Sequence, residues 1–184
     1  GWFSLGFCRL WAGHLDTAAA PLLAGLRLAE ELGLAYTEVL CLTYLACLHR
    51  FLGDTVEARR YAERNLAASR EVDMPVYRAA AHSNLAAQHW RAGQVEAGQV
   101  EAAQAEAERA LVLWGDHPYP FRWLAGWVLL AVHTARGDLA EGGGAGPVHP
   151  SSQPAPPAGG PAGAAGKRRA RLAGTPRRNR CGAA

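Results

Sequence analysis

Three histidines occupy matching places along this chain. His49, His89 and His133 each lie four residues before a glycine: Gly53, Gly93 and Gly137. Imidazoles recurring at about forty-residue spacing invite a shared metal, because stacked repeats would carry them on successive helices. No nearby Asp or Cys completes a ligand set, so the spacing reads instead as buried structural histidines. His82 and His89 lie seven apart on one helix face, a weaker form of the same signal. The four cysteines, Cys8, Cys41, Cys47 and Cys181, show no CxxC spacing. They read as thiols of a reducing compartment, with Cys41 and Cys47 as small apolar fillers. No nucleophile stands with a base, and the acids sit at helix starts or solvent positions rather than in catalytic pairs. The expectation is no catalytic residue, no cofactor and no metal.

The elements that carry these residues repeat. Glycines at 13, 53, 93 and 137 are preceded at eight residues by Leu5, Leu45, Leu85 and Leu129, followed in three cases by Gly6, Ala46 or Ala86. Leu26 and Leu66 lie thirteen residues after the first two glycines. The third repeat departs from that count because Gly93-Gln-Val-Glu-Ala97 is duplicated as Gly98-Gln-Val-Glu-Ala102. Counted from Gly98, Leu111 falls at thirteen. Small residues and Leu at i, i+4, i+7 and i+8 (Ala58, Ala62, Asn65, Leu66; Ala103, Ala107, Ala110, Leu111) mark second helices. The pattern predicts helices over 2–12, 16–32, 35–52, 55–72, 76–92, 97–114 and 120–136. Asp54-Thr-Val-Glu57 and Asp138-Leu-Ala-Glu141 read as capping-box starts. Pro21, early in its helix, is expected to delay or bend the first turn. Gly33, Asp73-Met-Pro75 and Gly115-Asp-His-Pro118 read as turns, and Glu96 through Arg109 as a solvated helix.

One helix pair cannot bury its apolar stripe alone, so neighbouring pairs must stack. The expected fold is all-α: a right-handed α-solenoid of antiparallel helix pairs over residues 1–141, with a concave groove. Residues 142–184 differ abruptly. They hold Lys167, six arginines and no acid, whereas residues 1–141 hold twelve arginines against all 16 acids, giving +7 and −4. Ten of the 21 glycines and seven of the 11 prolines also lie there, which predicts a disordered tail. Two origins compete for it. The helix-start signal at Asp138–Glu141 runs into Gly142-Gly-Gly instead of a helix, and Arg outnumbers Lys 18 to 1, as in a GC-rich gene translated out of frame. A natural flexible tail is the other. Its clusters Lys167–Arg171 and Arg177–Arg180 would then bind anionic polymers such as nucleic acid. The chain opens at Gly1 and its only methionine is Met74, so it reads as a piece of a longer protein. No run of about 18 apolar residues predicts a spanning helix. The expected location is cytoplasmic.

Trp2-x2-Leu5-Gly6, then Ala18, Leu22 and Gly25, resembles the tetratricopeptide pattern. The period near forty is similar to that of repeat regions in large bacterial signal-transduction ATPases: the maltose-regulon activator type, LuxR-type regulators and cyclase–ATPase–repeat proteins. Residues 117–125 and 135–140 look like the C-terminal repeats of that last group. The resemblance implies a non-catalytic module that binds a protein or peptide, or packs on its parent's ATPase domain. The parent's cyclase, ATPase or DNA-binding parts would lie in other domains, as no GxxxxGK[ST] occurs here. Groove positions carried over from tetratricopeptide units fall on Thr43, Arg50, Ser83, Asn84, Trp90, Arg91, Trp127 and Thr134. The basic and amide pattern that clamps a peptide's terminal carboxylate is not reproduced. Of the six tryptophans, most read as core and some as groove-lining anchors.

Overall fold

A computed structural model describes residues 1–93 and 98–138. They are all-helical, with no strand among the described residues. The helices are α1 (Trp2–Trp11), α2 (Leu15–Glu31), α3 (Ala35–Leu52), α4 (Thr55–Glu71), α5 (Pro75–Ala92), α6 (Gln99–Trp114) and α7 (Trp123–Arg136). All lie in one compact unit, Gly1–Gly146; the second unit, Pro147–Ala184, and the tail readings of the sequence lie outside the described residues. No described helix is long and apolar enough to cross a membrane.

Local chemistry sets most boundaries. Gly53 ends α3 in the left-handed region, with φ 80°, where a Cβ would be strained. The duplicated pentapeptide offers two glycines for the corresponding reversal, and the chain uses the second. Gly93 is right-handed at φ −61°, whereas Gly98 takes φ 81° just before α6. Counting the repeat from Gly98 therefore follows the backbone. Between α4 and α5 the positive φ belongs to Asp73, at 47°, and Pro75 opens α5 in the first turn, where its missing N–H costs nothing. Asp54 caps α4 by accepting from the Glu57 N–H at 3.1 Å. Its own N–H goes to the His49 carbonyl at 3.0 Å, so the reciprocal half of the capping box is taken by the preceding helix. Asp138 donates to the His133 carbonyl in the same way at 2.9 Å, and the rest of that second capping signal lies outside the described residues.

Two expectations need correction. Pro21 does not delay α2, which begins six residues earlier at Leu15 and runs on past it to Glu31. Proline leaves the carbonyl four residues back without its helical donor. That carbonyl is Thr17 O, and the Arg9 guanidinium of α1 donates to it at 3.0 Å. The last helix begins at Trp123, not 120. Pro118 and Pro120 push the residues before them toward extended backbone, and residues 115–122 form a connecting segment instead.

Packing follows the small-residue spacing. A Cβ on Gly6 of α1 would stand 2.5 Å from Leu22 Cγ on α2, and one on Gly25 would stand 3.1 Å from Cys41 Sγ on α3. Each helix packs on the next, and the odd helices also touch in series: α1 on α3, α3 on α5, α5 on α7. The core divides into two clusters. One holds Leu22, Leu42, Leu45 and Leu48. The other is built from alanines of α5 and α6 around Trp114 and Val128. Trp114 satisfies its indole N–H on the Val76 carbonyl at 2.9 Å, which fixes α6 antiparallel to α5.

Candidate partner-binding face

The face shared by α1, α3 and α5 is aromatic, and the chain fills it itself. Phe7 and Trp11 of α1, Tyr44 of α3 and Tyr77 of α5 receive Tyr119 and Phe121 from the segment before α7. Phe121 stacks on Trp11, the planes 2° apart and the centroids 4.3 Å apart, and its edge meets Phe7 and Tyr44. Tyr119 stacks on Trp114 at 5.1 Å and meets Tyr77 edge-on. Burial raises the phenol pKa values of Tyr44 and Tyr119 above their ordinary range. Sequence reasoning did not find this plug. The only local trace of it is the alternation of proline with aromatics in His117-Pro-Tyr-Pro-Phe121.

The eight residues carried over from the repeat pattern separate into an inner set and an outer set. Thr43, Ser83 and Asn84 are fully buried and offer a partner no surface. Thr43 donates to the Val39 carbonyl at 2.8 Å and accepts from Asn65 Nδ2 at 3.0 Å. Asn65 reaches on to the Tyr77 carbonyl at 3.3 Å, linking α3, α4 and α5. Ser83 donates back to Ala80 O, and Asn84 pairs with Cys47 at 3.5 Å. Cys47 is thus more than a filler, and burial raises its thiol pKa. Arg50 is also internal. Its Nη1 reaches the Ser83 carbonyl at 3.1 Å and its Nη2 the Leu124 carbonyl at 2.8 Å, clamping α3 to α5 and α7. Burial pushes its pKa down to about 10, which leaves it cationic at neutral pH. Arg91 donates to Arg50 O at 2.8 Å from the margin of this network. A repeat analogy identifies which helix carries a position, but the following helices decide whether that position meets solvent.

Trp90, Trp127 and Thr134 form the outer set, and the structure brings them together. With Leu130, Ala131 and Ala135 they line an open cleft of about 420 Å³ between α5 and α7. A second hollow of about 290 Å³, lined by Trp123, Gly126, Trp127 and Leu130, continues along α7. The repeat register explains why this face is open. Ten residues before their glycines stand Thr43, Ser83 and Trp127, exposed 0%, 0% and 61%. Seven before stand Ala46, Ala86 and Leu130, exposed 0%, 0% and 36%. Helices α3 and α5 bury these positions against the helices that follow them, and α7 shows the same face uncovered. Its lining is apolar apart from the Thr134 hydroxyl, which donates back to Leu130 O at 2.7 Å. Such a surface can bind by burial and shape, and it carries no group placed for proton or electron transfer.

The histidines do not converge. His49 Nδ1 lies 3.2 Å from Asp54 Oδ2, and His89 Nδ1 lies 2.6 Å from Gln99 Oε1. Each ties the last turn of an odd helix to the start of the next helix, so a nearby acid does approach His49, as a tether. His133 Nδ1 is buried without a hydrogen-bond partner among the described residues. His82 pairs instead with Glu106 Oε2 of α6 at 2.5 Å. Among the described residues no three His, Cys, Asp or Glu side chains are grouped to hold a metal. No family model, no curated protein and no solved structure matches this chain.

Proposed function

We propose that this chain is a non-catalytic protein-interaction module, a right-handed α-solenoid of the tetratricopeptide kind whose α7 end receives a helix from a protein partner. One observation carries the reading: Trp127 and Leu130 are open at positions whose equivalents on α3 and α5 are fully buried. The serial contacts α1–α3–α5–α7, with each even helix packed only beside its neighbours in sequence, support the solenoid. The earlier junctions show what chemistry fits the face. Ala46 is buried in a cluster that also holds Ala62 of α4, and Ala86 in one that holds Ala103, Ala107 and Ala110 of α6, so the partner we propose is a helix with small residues and Leu at i, i+4, i+7 and i+8. This surface belongs, in our reading, to an arm of a larger bacterial signal-transduction ATPase, whose nucleotide chemistry lies in other domains. The similarity of residues 117–125 and 135–140 to repeats of the cyclase–ATPase group supports that setting. In it the helix received is the parent's own next repeat or a regulated domain.

Selection of displayed helical peptides against the full chain tests the proposal. Enriched peptides should carry the small-residue and Leu spacing, and Trp127→Ala should weaken them at least about tenfold, the loss of one buried anchor. Peptides that bind Trp127→Ala as well as the parent chain would place the interaction elsewhere and sink it.

A further inference from the structure

A second cavity, away from the apolar cleft, has a different chemistry. It measures about 410 Å³ and lies between the first turns of α4 and the last turn of α5. Gln88 lines it and is only 2% exposed, yet neither its Nε2 nor its Oε1 has a hydrogen-bond partner among the described residues. A buried amide left unpaired is costly, and native structures rarely keep one without a use. Around it stand Arg59, Arg60, Arg91, Thr55 and Glu63. Arg60 is committed to Glu57 and to the Tyr61 hydroxyl. Arg91 gives one N–H to Arg50 O and pairs with no carboxylate among the described residues. Arg59 has no partner among the described residues, although Glu63 lies one helical turn away. Two guanidinium groups therefore line the cavity unpaired among the described residues, outnumbering the one carboxylate beside them, Glu63, over an amide whose donor and acceptor are also unpaired there.

We propose that this cavity binds a small organic anion that carries a hydrogen-bond donor beside its charged group. The anionic oxygens take Arg59, Arg91 and Gln88 Nε2, and an adjacent hydroxyl or amine donates to Gln88 Oε1. Guanidinium forks match carboxylate and phosphate oxygens equally well in geometry. Arg59, which has no hydrogen-bond or ion-pair partner among the described residues, is the side chain that would move to admit the ligand to the amide. This site stands independently of the α7 face.

The test follows the Gln88 side-chain amide by 1H–15N NMR in the full chain, titrated separately with citrate and with glycerol 3-phosphate. A saturable shift with citrate assigns a hydroxycarboxylate ligand, and one with glycerol 3-phosphate assigns a phosphate ester. Arg59→Gln should weaken whichever binds at least tenfold. Absence of a saturable shift with both, or a shift that Arg59→Gln leaves unchanged, overturns the proposal. Gln88→Met provides an independent check, because it removes the amide and keeps the length. It should abolish the ligand-induced shifts of Arg59 and leave the melting temperature equal or higher. A melting temperature lowered by several degrees would show that the amide already has structural partners, and would also overturn the site.

Discussion

The indole of Trp11 and the ring of Phe121 lie parallel, 4.3 Å between centroids, joining the first helix to the segment that precedes the last. Together with the Phe7–Phe121 and Trp11–Trp123 ring contacts it ties the two ends of the described chain, and it closes the aromatic face of α1, α3 and α5 from within. Phe121→Ala should cost about 2–3 kcal/mol, less than a fully buried Phe because the ring is half-buried. Chemical denaturation measures the loss. Near-UV circular dichroism should show weakened aromatic bands while the far-UV helix signal stays. Unchanged stability would mean that the segment merely rests on the face.

The Arg9–Thr17 hydrogen bond exists because Pro21 vacates that carbonyl, and this coupling can be measured. Arg9→Leu alone should cost about 0.5–1.5 kcal/mol. In the Pro21→Ala background, where the restored N–H of residue 21 can serve Thr17 O, the same substitution should cost less. A double-mutant cycle should therefore give a coupling of roughly 0.5–1 kcal/mol. Strict additivity of the two substitutions would show that Arg9 does not stand in for the missing donor.

How much of this was legible in the sequence depends on how local the cause is. The helices were legible, because Gly13, Gly53, Gly98 and Gly137 and the alanines at i, i+4 and i+7 write their boundaries and faces into short windows. The choice of Gly98 over Gly93 was also legible, since the duplication shifts the count to Leu111. The plug was not. Phe121 meets Trp11 only after five helices have turned between them, and no periodicity records that. The site divides in the same way. Repeat register found Trp90, Trp127 and Thr134, which share the cleft, but it also nominated Thr43, Ser83 and Asn84, which are buried by helices later in the chain. The unpaired amide of Gln88 is a property of three-dimensional packing and has no signature in spacing.

Acid should find the α5–α6 junction early. Hydrogen bonding from His82, opposed by burial, is the main cause that holds the Glu106 carboxyl below its ordinary pKa, with His82 and Arg109 charges adding to it. A carboxyl with a folded pKa below its unfolded one stabilises the fold fully above the unfolded value, near 4.3 for Glu. That contribution disappears as pH falls through the lower folded value. Glu106→Gln should cost about 1–3 kcal/mol at neutral pH, since it leaves a buried His82 nitrogen poorly paired. The variant should also lose stability less steeply than the parent chain between neutrality and pH 3. Parallel stability–pH curves for the two proteins would refute this account.

The duplicated pentapeptide yields the sharpest backbone prediction. Gly98 takes a positive φ just before α6, so Gly98→Ala should cost about 1–2 kcal/mol, the strain of a Cβ in the left-handed region. Gly93 is right-handed, and a Cβ there would instead meet Val100 Cγ2 at 2.9 Å, the end of a side chain on α6. Deleting residues 93–97 should be tolerated. The deletion joins Ala92 to Gly98 and restores the count of the second repeat. It also places Gln99 five residues after His89, as Asp54 stands after His49, so the tether from the last turn of α5 to the start of α6 can re-form. The deletion variant should keep its helical circular dichroism and melt within a few degrees of the parent chain. Loss of cooperative unfolding would show that both copies of the pentapeptide are needed to seat α6 on α5.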